Sequence, residues 1–200
     1  INNNEKQNFN ENLKIINNQI KQIENLVNEF SDFARMPKPI FKRNDLIVIL
    51  NENIRLLSEI DKSINIKLTN RDNQIFLNCD KEQVSRVFFN LIKNSIESIH
   101  QKGKKVSDFA KIISIEIYNY DDHISITLID NGIGFDKITN NIDDILNPYF
   151  TTKKNGTGLG LSIVSKIIND HNGNLEFISQ PNGAKIKIYF KLDGNRNLNS

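Results

Sequence analysis

Apolar residues spaced alternately four and three apart occupy the first 36 positions and constrain the fold most strongly. This alternation is a heptad seam, which places every member on one stripe of a long helix. Pro37 and Pro39 end the helix, because proline lacks the N–H and disfavours helical geometry in the preceding residue. The seam favours pairing between two chains over packing of the helix on its own domain. Its members are Phe9, Leu13, Ile16, Ile20, Ile23, Val27, Phe30 and Ala34.

Charge and composition exclude several classes of partner. With 26 basic and 24 acidic side chains the net charge is +2, which offers no basic field to nucleic acid or to a membrane surface. No apolar run approaches the roughly 18 residues that span a bilayer. The single cysteine, Cys79, fits a small core residue and indicates a reducing, cytoplasmic compartment. Because the chain begins at Ile1, we expect a piece of a longer protein, whose sensor and any membrane segment lie outside it.

The periodicity beyond the prolines mixes helices and strands. It predicts a helix over residues 45–59, strands over 64–69 and 75–79, and a strongly amphipathic helix after Asp80. Asp80 is expected to cap that helix, with Gln83 as the reciprocal half of a capping box. Strands over 112–118 and 124–129, a glycine-punctuated loop, a helix over 161–171, and strands over 175–179 and 185–192 complete the chain. This predicts a two-layer α/β sandwich with the helices on one face.

Two asparagines lie on one face of the capped helix. Asn90 and Asn94 are four residues apart, whereas Leu91 and Ile92 turn toward the core. Neutral amide oxygens on one stripe suit Mg²⁺, which prefers hard oxygen ligands and keeps several waters. Solvated asparagines on an exposed face are the alternative interpretation, because Asn is abundant throughout this chain.

A second cluster, Asp130-Asn-Gly132-Ile-Gly134, directly follows a strand. A carboxylate at a strand end, followed by residues without Cβ atoms, allows the backbone and a charge to approach a flat ligand closely. Such an aspartate can accept a hydrogen bond from an adenine amino group. An ordinary Asp-Asn-Gly turn is the alternative.

Two further clusters lie in the glycine-punctuated stretch. Glycine-rich backbone from Gly156 to Gly160 leads into a helix at Leu161-Ser162, and such a helix start presents N–H groups to an anion such as a triphosphate. The spacing matches neither the Walker loop nor the dinucleotide fingerprint. Upstream, residues 147–154 place the aromatic pair Tyr149-Phe150 before the two cations Lys153 and Lys154.

Together, in this order and spacing, the clusters resemble the ATPase domain of sensor histidine kinases. That superfamily also holds gyrase-type topoisomerases, the heat-shock chaperones of ninety kilodaltons and mismatch-repair ATPases. The resemblance covers about residues 45–192 and implies the Bergerat ATP-binding fold, with a mixed, mainly antiparallel sheet. It also implies ATP and Mg²⁺ as cofactors.

The resemblance assigns individual residues to the nucleotide. Asn94, with Asn90 nearby, is implied to ligate Mg²⁺, and Asp130 is implied to bind the adenine amino group. Gly183-Ala184 stands where the family often has Gly-Thr or Gly-Ser, so this sequence departs from the family at a position where a hydroxyl contact is expected. The residues implied to bind ATP are Asn90, Lys93, Asn94, Asp130, Gly132, Gly134, Tyr149, Phe150, Lys153, Gly156, Thr157, Gly158, Leu159 and Gly160.

The N-terminal segment resembles the second helix of the kinase's dimerisation stalk, and residues 31–39 resemble the junction found in nitrogen-regulation-type sensor kinases. We therefore expect a stalk helix over 1–36, a linker over 37–44, the catalytic domain over 45–192 and a disordered tail over 193–200. The resemblance implies a homodimer through the stalk helix and a response regulator receiver domain as partner. Nucleic acid is not expected to bind, and membrane attachment is expected only through other parts of the parent protein.

Asn90 separates kinases from hydrolases within the superfamily. Members that hydrolyse ATP resemble one another in carrying Glu at this position, where a carboxylate can take a proton from water and an amide cannot. Asn90 therefore favours phosphoryl transfer to a histidine, whose neutral imidazole already has a nucleophilic nitrogen. Two alternatives remain: a nucleotide-sensing dimerisation module without phosphotransfer, and an anti-sigma-type serine kinase.

Two further expectations concern the acceptor and the lid. His100, His123 and His171 lie near element ends, and none is followed by the acidic residue that accompanies phosphoacceptor histidines. The acceptor is expected on the first stalk helix, upstream of Ile1, so the chain alone should not autophosphorylate. Residues from about 136 to 155 are expected to form a mobile lid, because the stretch is long, polar and flanked by glycine.

Overall fold

The computed structural model describes residues 3–135, 142–153 and 156–192. The helices are α1 (Asn3–Ala34), α2 (Leu46–Ile60), α3 (Lys81–Gly103) and α4 (Gly160–Asp170), with a short 3₁₀ helix at Ile142–Leu146. The strands are β1 (Lys42–Asp45), β2 (Asn65–Asn70), β3 (Phe76–Cys79), β4 (Ile112–Asn119), β5 (His123–Asp130), β6 (Gly173–Gln180) and β7 (Gly183–Lys191).

The main sheet has five strands in the order β2-β4-β5-β7-β6. Only β2 and β4 run parallel, and the other neighbours are antiparallel. Isoleucines alternate along the central strands, and one face of the sheet is therefore apolar and buried. Ile113, Ile115 and Ile117 of β4 are completely buried in this way. The predicted mixed, mainly antiparallel sheet is confirmed.

The helical layer covers that apolar face. α3 packs against α2 on one side and α4 on the other, and all three helices also contact strands of the sheet. The buried stripe of α3 includes Val84, Val87, Phe88, Leu91 and Ile92, at the spacing of a single helix face. The polar stripe of α3, which carries the two asparagines, is thereby held beside the N-terminal end of α4. The two-layer α/β prediction is confirmed.

The interval predicted as a linker, residues 37–44, ends in a strand. β1 pairs antiparallel with β3, from Lys42 opposite Cys79 to Asp45 opposite Phe76. Its four polar residues give no alternating apolar signal, so the sequence did not indicate a strand. Backbone pairing and two side-chain contacts hold it. The Arg43 guanidinium lies 3.9 Å from the centre of the Phe76 ring, and the Asn44 amide donates to the Cys79 carbonyl at 2.8 Å.

The predicted capping box at α3 is half right. The Asp80 carboxylate accepts from the Gln83 backbone N–H at 3.1 Å, as predicted. The reciprocal bond is wrong, because the Gln83 amide donates to the Pro37 carbonyl at 2.9 Å. The Asp80 N–H instead donates to His171 Nε2 at 3.0 Å, and the second Asp80 oxygen accepts from the Ile40 N–H at 2.9 Å. Asp80 thus joins α3, the C-terminal end of α4 and the segment after α1.

The heptad seam forms the predicted long helix, and its apolar stripe faces solvent. Exposed fractions run from 42% for Leu13 to 62% for Phe9, whereas Phe33 and Met36 pack against the core. A long exposed apolar stripe is characteristic of an interaction surface. Pairing of two chains along it stays a prediction. Among the described residues, no helix has the length and apolar character needed to cross a bilayer.

Candidate functional site

Asn90, Asn94 and Glu97 share the polar face of α3 and are all partly buried. Lys153, from the loop before α4, reaches this face. Its ammonium donates to Asn94 Oδ1 at 2.9 Å and forms an ion pair with Glu97. Asn90 lies beside the start of α4, with its Oδ1 3.7 Å from where a Cβ on Gly160 would be. Lys93 lies on the exposed side of the same helix.

The oxygens on this face fit a hard divalent cation. An amide oxygen and a carboxylate, three residues apart on one helix, already converge on a single positive charge, the Lys153 ammonium. Oxygen donors of this kind match the preference of Mg²⁺, which needs only one or two protein ligands when phosphates supply others. The donor set therefore fits the ion that the sequence resemblance implies.

Asp130 lies at the end of β5 and is only 3% exposed. Its oxygens accept from the Ser95 hydroxyl and the Gly132 N–H, both at 2.9 Å. The Ala184 backbone N–H, in the paired strand, is a third donor. Burial raises the pKa of Asp130 above its usual value, although these donors and the Lys102 charge oppose the shift. Asp130 is therefore a buried carboxylate positioned by neighbouring groups.

The first glycine cluster owes its composition to close backbone packing. A Cβ on Gly132 would lie 2.1 Å from Ser98 Oγ of α3, and one on Gly134 would lie 2.7 Å from the Gly183 carbonyl oxygen. Gly134 and Gly183 have φ values of +78° and +109°, which favour glycine. A Cβ on Gly183 would lie 1.8 Å from the Asp130 carbonyl oxygen. Glycine at these positions lets the turn between β6 and β7 touch the backbone around Asp130.

The second glycine cluster joins the aromatic pair to the start of α4. The Tyr149 N–H donates to the Gly158 carbonyl at 3.1 Å, and a Cβ on Gly158 would lie 2.4 Å from the Tyr149 carbonyl carbon. The Tyr149 side chain is exposed, whereas Phe150 packs on the core. Leu159, fully buried, precedes α4 and has no polar side-chain atom to cap it. The first N–H groups of α4 therefore depend on other partners, as in anion sites at helix N-termini.

Thr157, in the same cluster, contacts the long N-terminal helix. Its hydroxyl donates to the Glu29 carboxylate of α1. It also lies 3.4 Å from the Leu159 N–H. This contact is remote in sequence, and the heptad pattern did not indicate it. It places a carboxylate of α1 next to the glycine-rich end of α4.

The three histidines occupy separate environments. His100 pairs with Asp61 and His123 with Asp122. His171 is buried, and its Nδ1 lies 2.8 Å from the Ile167 carbonyl oxygen. Hydrogen bonds from Ser63 and the pairing with His100 lower the pKa of Asp61 to about 2. Each histidine has a local structural partner outside the cluster around Asn94.

Several predicted positions lie outside the described residues. Lys154 is one, and so are residues 136–141 and 154–155 of the predicted lid and the predicted tail, 193–200.

Three residues of the site were not predicted. Ser95 gave a signal, as a polar residue within the buried stripe of α3. Glu97 gave one through its spacing from Asn94, whereas Ser98 gave none.

The sequence from residue 79 to residue 194, more than half of the chain, matches the family described as histidine kinase-, DNA gyrase B-, and HSP90-like ATPase. The chain belongs to this ATPase family. This match, together with the sensor histidine kinases among the relatives described below, confirms the predicted resemblance to the ATPase domain of sensor histidine kinases.

Relatives in this ATPase family extend the match to the N-terminal helix. An NtrY-like sensor histidine kinase of Rickettsia bellii is 33% identical over 190 residues, which cover 94% of this chain and 30% of the relative. The nitrogen regulation protein NtrY of Azorhizobium caulinodans is 31% identical, over 88% of this chain and 23% of the relative. The chain spans less than a third of the length of these curated relatives.

Solved structures of the family share the fold. The catalytic domain of histidine kinase ThkA superposes with a TM-score of 0.65 at 24% identity, covering 76% of this chain and 95% of that one. ThkA in complex with response regulator protein TrrA gives a TM-score of 0.71 at 19% identity, covering 94% of this chain and 52% of that one. The second match includes α1, so the likeness in fold extends beyond the sandwich.

Proposed function

We propose that the chain is the ATP-binding catalytic part of a sensor histidine kinase, transferring the γ-phosphoryl group of ATP to a histidine on a stalk helix. The observation that carries the proposal is the meeting of the asparagine face of α3, the Lys153 ammonium and the uncapped start of α4. These groups supply oxygens for a cation and positive charge for phosphates at one place. Family membership supports the use of ATP.

In this proposal Asp130 recognises the adenine base of the nucleotide. A buried carboxylate that already accepts hydrogen bonds from Ser95 and Gly132 keeps a fixed orientation. Its remaining lone pairs can accept a further hydrogen bond from an amino group. Guanine presents a carbonyl oxygen where adenine has its amino group, which would face the Asp130 carboxylate unfavourably. The geometry of Asp130 therefore favours adenine over guanine nucleotides.

Asn94, with Asn90 nearby, would hold Mg²⁺, which neutralises phosphate charge when bound. The first N–H groups of α4 and the Lys153 ammonium bind and orient the phosphates, because a helix start and a cation both attract anions. The backbone of Gly156, Thr157 and Gly158 and the buried Leu159 position that helix start. Phosphoryl transfer of this kind depends on positioning and charge neutralisation more than on proton transfer.

Asn90 explains the choice of acceptor. An amide cannot take a proton from water, so position 90 lacks the carboxylate that the hydrolytic members of the superfamily use there. A neutral imidazole needs no such base. The three histidines of the chain pair locally or are buried, which supports an acceptor carried by another helix of the parent protein.

The domain assignment belongs to the same proposal. Residues 1–36 act as a stalk helix that pairs two chains along its exposed apolar stripe, and residues 45–192 act as the catalytic domain. Residues 37–44 connect them, with β1 anchoring the connection to β3. The phosphorylated stalk would pass its phosphoryl group to a response regulator receiver domain. The solved complex of histidine kinase ThkA with response regulator protein TrrA supports this class of partner.

Nucleotide binding can be tested with two variants and matched controls. Asp130→Ala and Asn94→Ala should each weaken the binding of a fluorescent ATP analogue by about tenfold or more, because each removes a polar partner worth at least ~1.5 kcal/mol. Asp122→Ala in the β4–β5 hairpin and Asn174→Ala at an exposed position of β6 should bind like the parent. Parent-like binding by both site variants would show that the site is assigned wrongly.

Phosphoryl transfer needs a separate assay. Incubation with γ-labelled ATP should leave the 200-residue chain without stable label, and acid-labile label should appear on an added stalk protein that carries the acceptor histidine. That label should vanish with Asn94→Ala. Acid-stable label on an added serine would favour the anti-sigma-type alternative, and binding without any transfer would favour the nucleotide-sensing module.

A further inference from the structure

Glu97 completes a row on α3 that the asparagines begin. It follows Asn94 by three residues and Asn90 by seven, so all three lie on one helix face. The Lys153 ammonium contacts both the Asn94 amide oxygen and the Glu97 carboxylate. The side chains of Lys153 and Glu97 are 39% and 38% exposed, which leaves the cluster open to ions and ligands from solvent.

Two side-chain oxygens that lie three residues apart on one helix and contact one cation form a small cation site. Asn94 contributes a neutral oxygen and Glu97 a full negative charge, so the pair attracts a divalent ion more strongly than a monovalent one. The ammonium and a divalent cation cannot share the same oxygens, because the two positive charges would repel at contact distance. Lys153 therefore competes with any divalent cation for Asn94 and Glu97.

We propose that Glu97 belongs with Asn94 to the Mg²⁺-binding donor set and that Lys153 is an exchangeable counter-ion of that set. The inference rests on the proposed nucleotide site, adds Glu97 to its metal ligands and gives Lys153 a second role. When Mg²⁺ and a nucleotide bind, Lys153 leaves Asn94 and Glu97 and pairs with phosphate. Lys153 thus links the occupancy of the cation site to that of the phosphate site.

The proposal gives Glu97 and Lys153 opposite effects on metal dependence. Removing the Lys153 charge frees both oxygens and also removes a phosphate contact, so the Mg²⁺ midpoint should fall whereas the affinity for the nucleotide at saturating Mg²⁺ should decrease. Removing the Glu97 charge weakens the binding of a divalent ion more than it weakens the binding of the Lys153 ammonium, so a higher Mg²⁺ concentration is needed. If Glu97 served only to hold Lys153, its removal would free Asn94 and act like the removal of Lys153.

The test is a Mg²⁺ titration of fluorescent ADP-analogue binding to the full 200-residue chain, with the midpoint Mg²⁺ concentration as the readout. We expect the midpoint to rise about fivefold in Glu97→Gln and to fall in Lys153→Met, the size expected for one partly exposed charge pair. The double variant should remain above Lys153→Met. Glu52→Gln and Lys81→Met break an ion pair of similar exposure at 3.0 Å elsewhere and should leave the midpoint unchanged.

The outcomes distinguish a failure of this inference from a failure of the proposed function on which it rests. A midpoint in Glu97→Gln that falls, or a double variant equal to Lys153→Met, overturns the role of Glu97 while nucleotide binding stands. Failure of the parent chain to bind the analogue at any Mg²⁺ concentration overturns both proposals. A raised midpoint in Glu97→Gln with an unchanged midpoint in the two controls supports the inference.

Discussion

Replacing Ser95 by alanine tests whether Asp130 is held as a buried anion. The Ser95 hydroxyl donates to Asp130 at 2.9 Å, and both side chains are almost completely buried. A hydrogen bond to a charged group contributes ~1.5–3 kcal/mol, and its loss leaves a buried carboxylate with one donor fewer. We expect Ser95→Ala to lower the free energy of unfolding by about 2 kcal/mol at neutral pH.

Ser162 offers a matched control. Its hydroxyl is also buried and also donates at 2.9 Å, but to the neutral Leu159 carbonyl. That carbonyl keeps a second donor, the Ile163 N–H, at 2.9 Å. Ser162→Ala should therefore cost only ~1 kcal/mol, the ordinary value for a neutral bond.

The pH dependence distinguishes the two variants further. Because the folded pKa of Asp130 is raised above 3.8, the folded state binds more protons than the unfolded state between 3.8 and that raised pKa. Its ionisation therefore lowers stability as pH rises through this window. Ser95→Ala raises the folded pKa further, so its extra cost grows as pH rises from the folded pKa of the parent to the higher folded pKa of the variant, above which it is complete. Ser162→Ala should show no such trend.

Urea unfolding followed by circular dichroism between pH 4 and pH 8 measures both effects. Equal losses for the two serine variants at every pH would refute the reasoning, because Asp130 would then gain nothing from a donor to its charge. A Ser95→Ala loss that shrinks as pH rises would refute the assignment of Ser95 as a donor that favours the ionised form of Asp130.

Three further predictions follow from the packing and the charges. Gly183→Ala should destabilise the fold by at least ~2 kcal/mol in thermal unfolding, because a Cβ would lie 1.8 Å from the Asp130 carbonyl oxygen at a positive φ. Gly103→Ala, whose Cβ would meet only a ring carbon at 3.8 Å, should be neutral or stabilising. Asp61→Asn should lower the free energy of unfolding near neutral pH. The difference from the parent should be full above pH 3.8 and should disappear as pH falls to about 2. A difference that stays constant with pH would contradict the lowered pKa of Asp61. Ile20→Lys in the seam should reduce the molar mass seen by light scattering, whereas Ile15→Lys, equally exposed but off the seam, should not; equal effects would place the interface elsewhere.

The sequence predicted those parts of the fold that local periodicity determines. α3 and the central strands alternate cleanly between buried and exposed positions, so the sequence pattern alone assigns their faces. β1 could not be predicted, since Lys42 to Asp45 pair through the backbone and carry no apolar pattern. The partner of the Asp80 N–H could not be predicted either, because His171 lies 91 residues away in sequence.

The residues of the candidate site also fall into two groups, those that local motifs predict and those that they do not. Asn90, Asn94 and Asp130 could be named because short motifs place them at a helix face and a strand end. The ion pair of Lys153 with Glu97 and the contact of Thr157 with Glu29 depend on how separate segments approach one another. No local spacing encodes such contacts, and only the folded chain reveals them.

The position of α4 has a mechanical consequence. This helix of 11 residues, about 16 Å long, is attached near both ends to the segment that begins the chain. Thr157 joins its start to Glu29 of α1, and His171 joins its end, through Asp80, to Ile40. These contacts connect α4 to the N-terminal segment at two points, with α4 as the rigid element and Asp80 as the residue that links its C-terminal end to Ile40. A rotation of α1 would therefore act on α4 at both ends, through Thr157 at the glycine-rich start and through Asp80 and His171 at the C-terminal end.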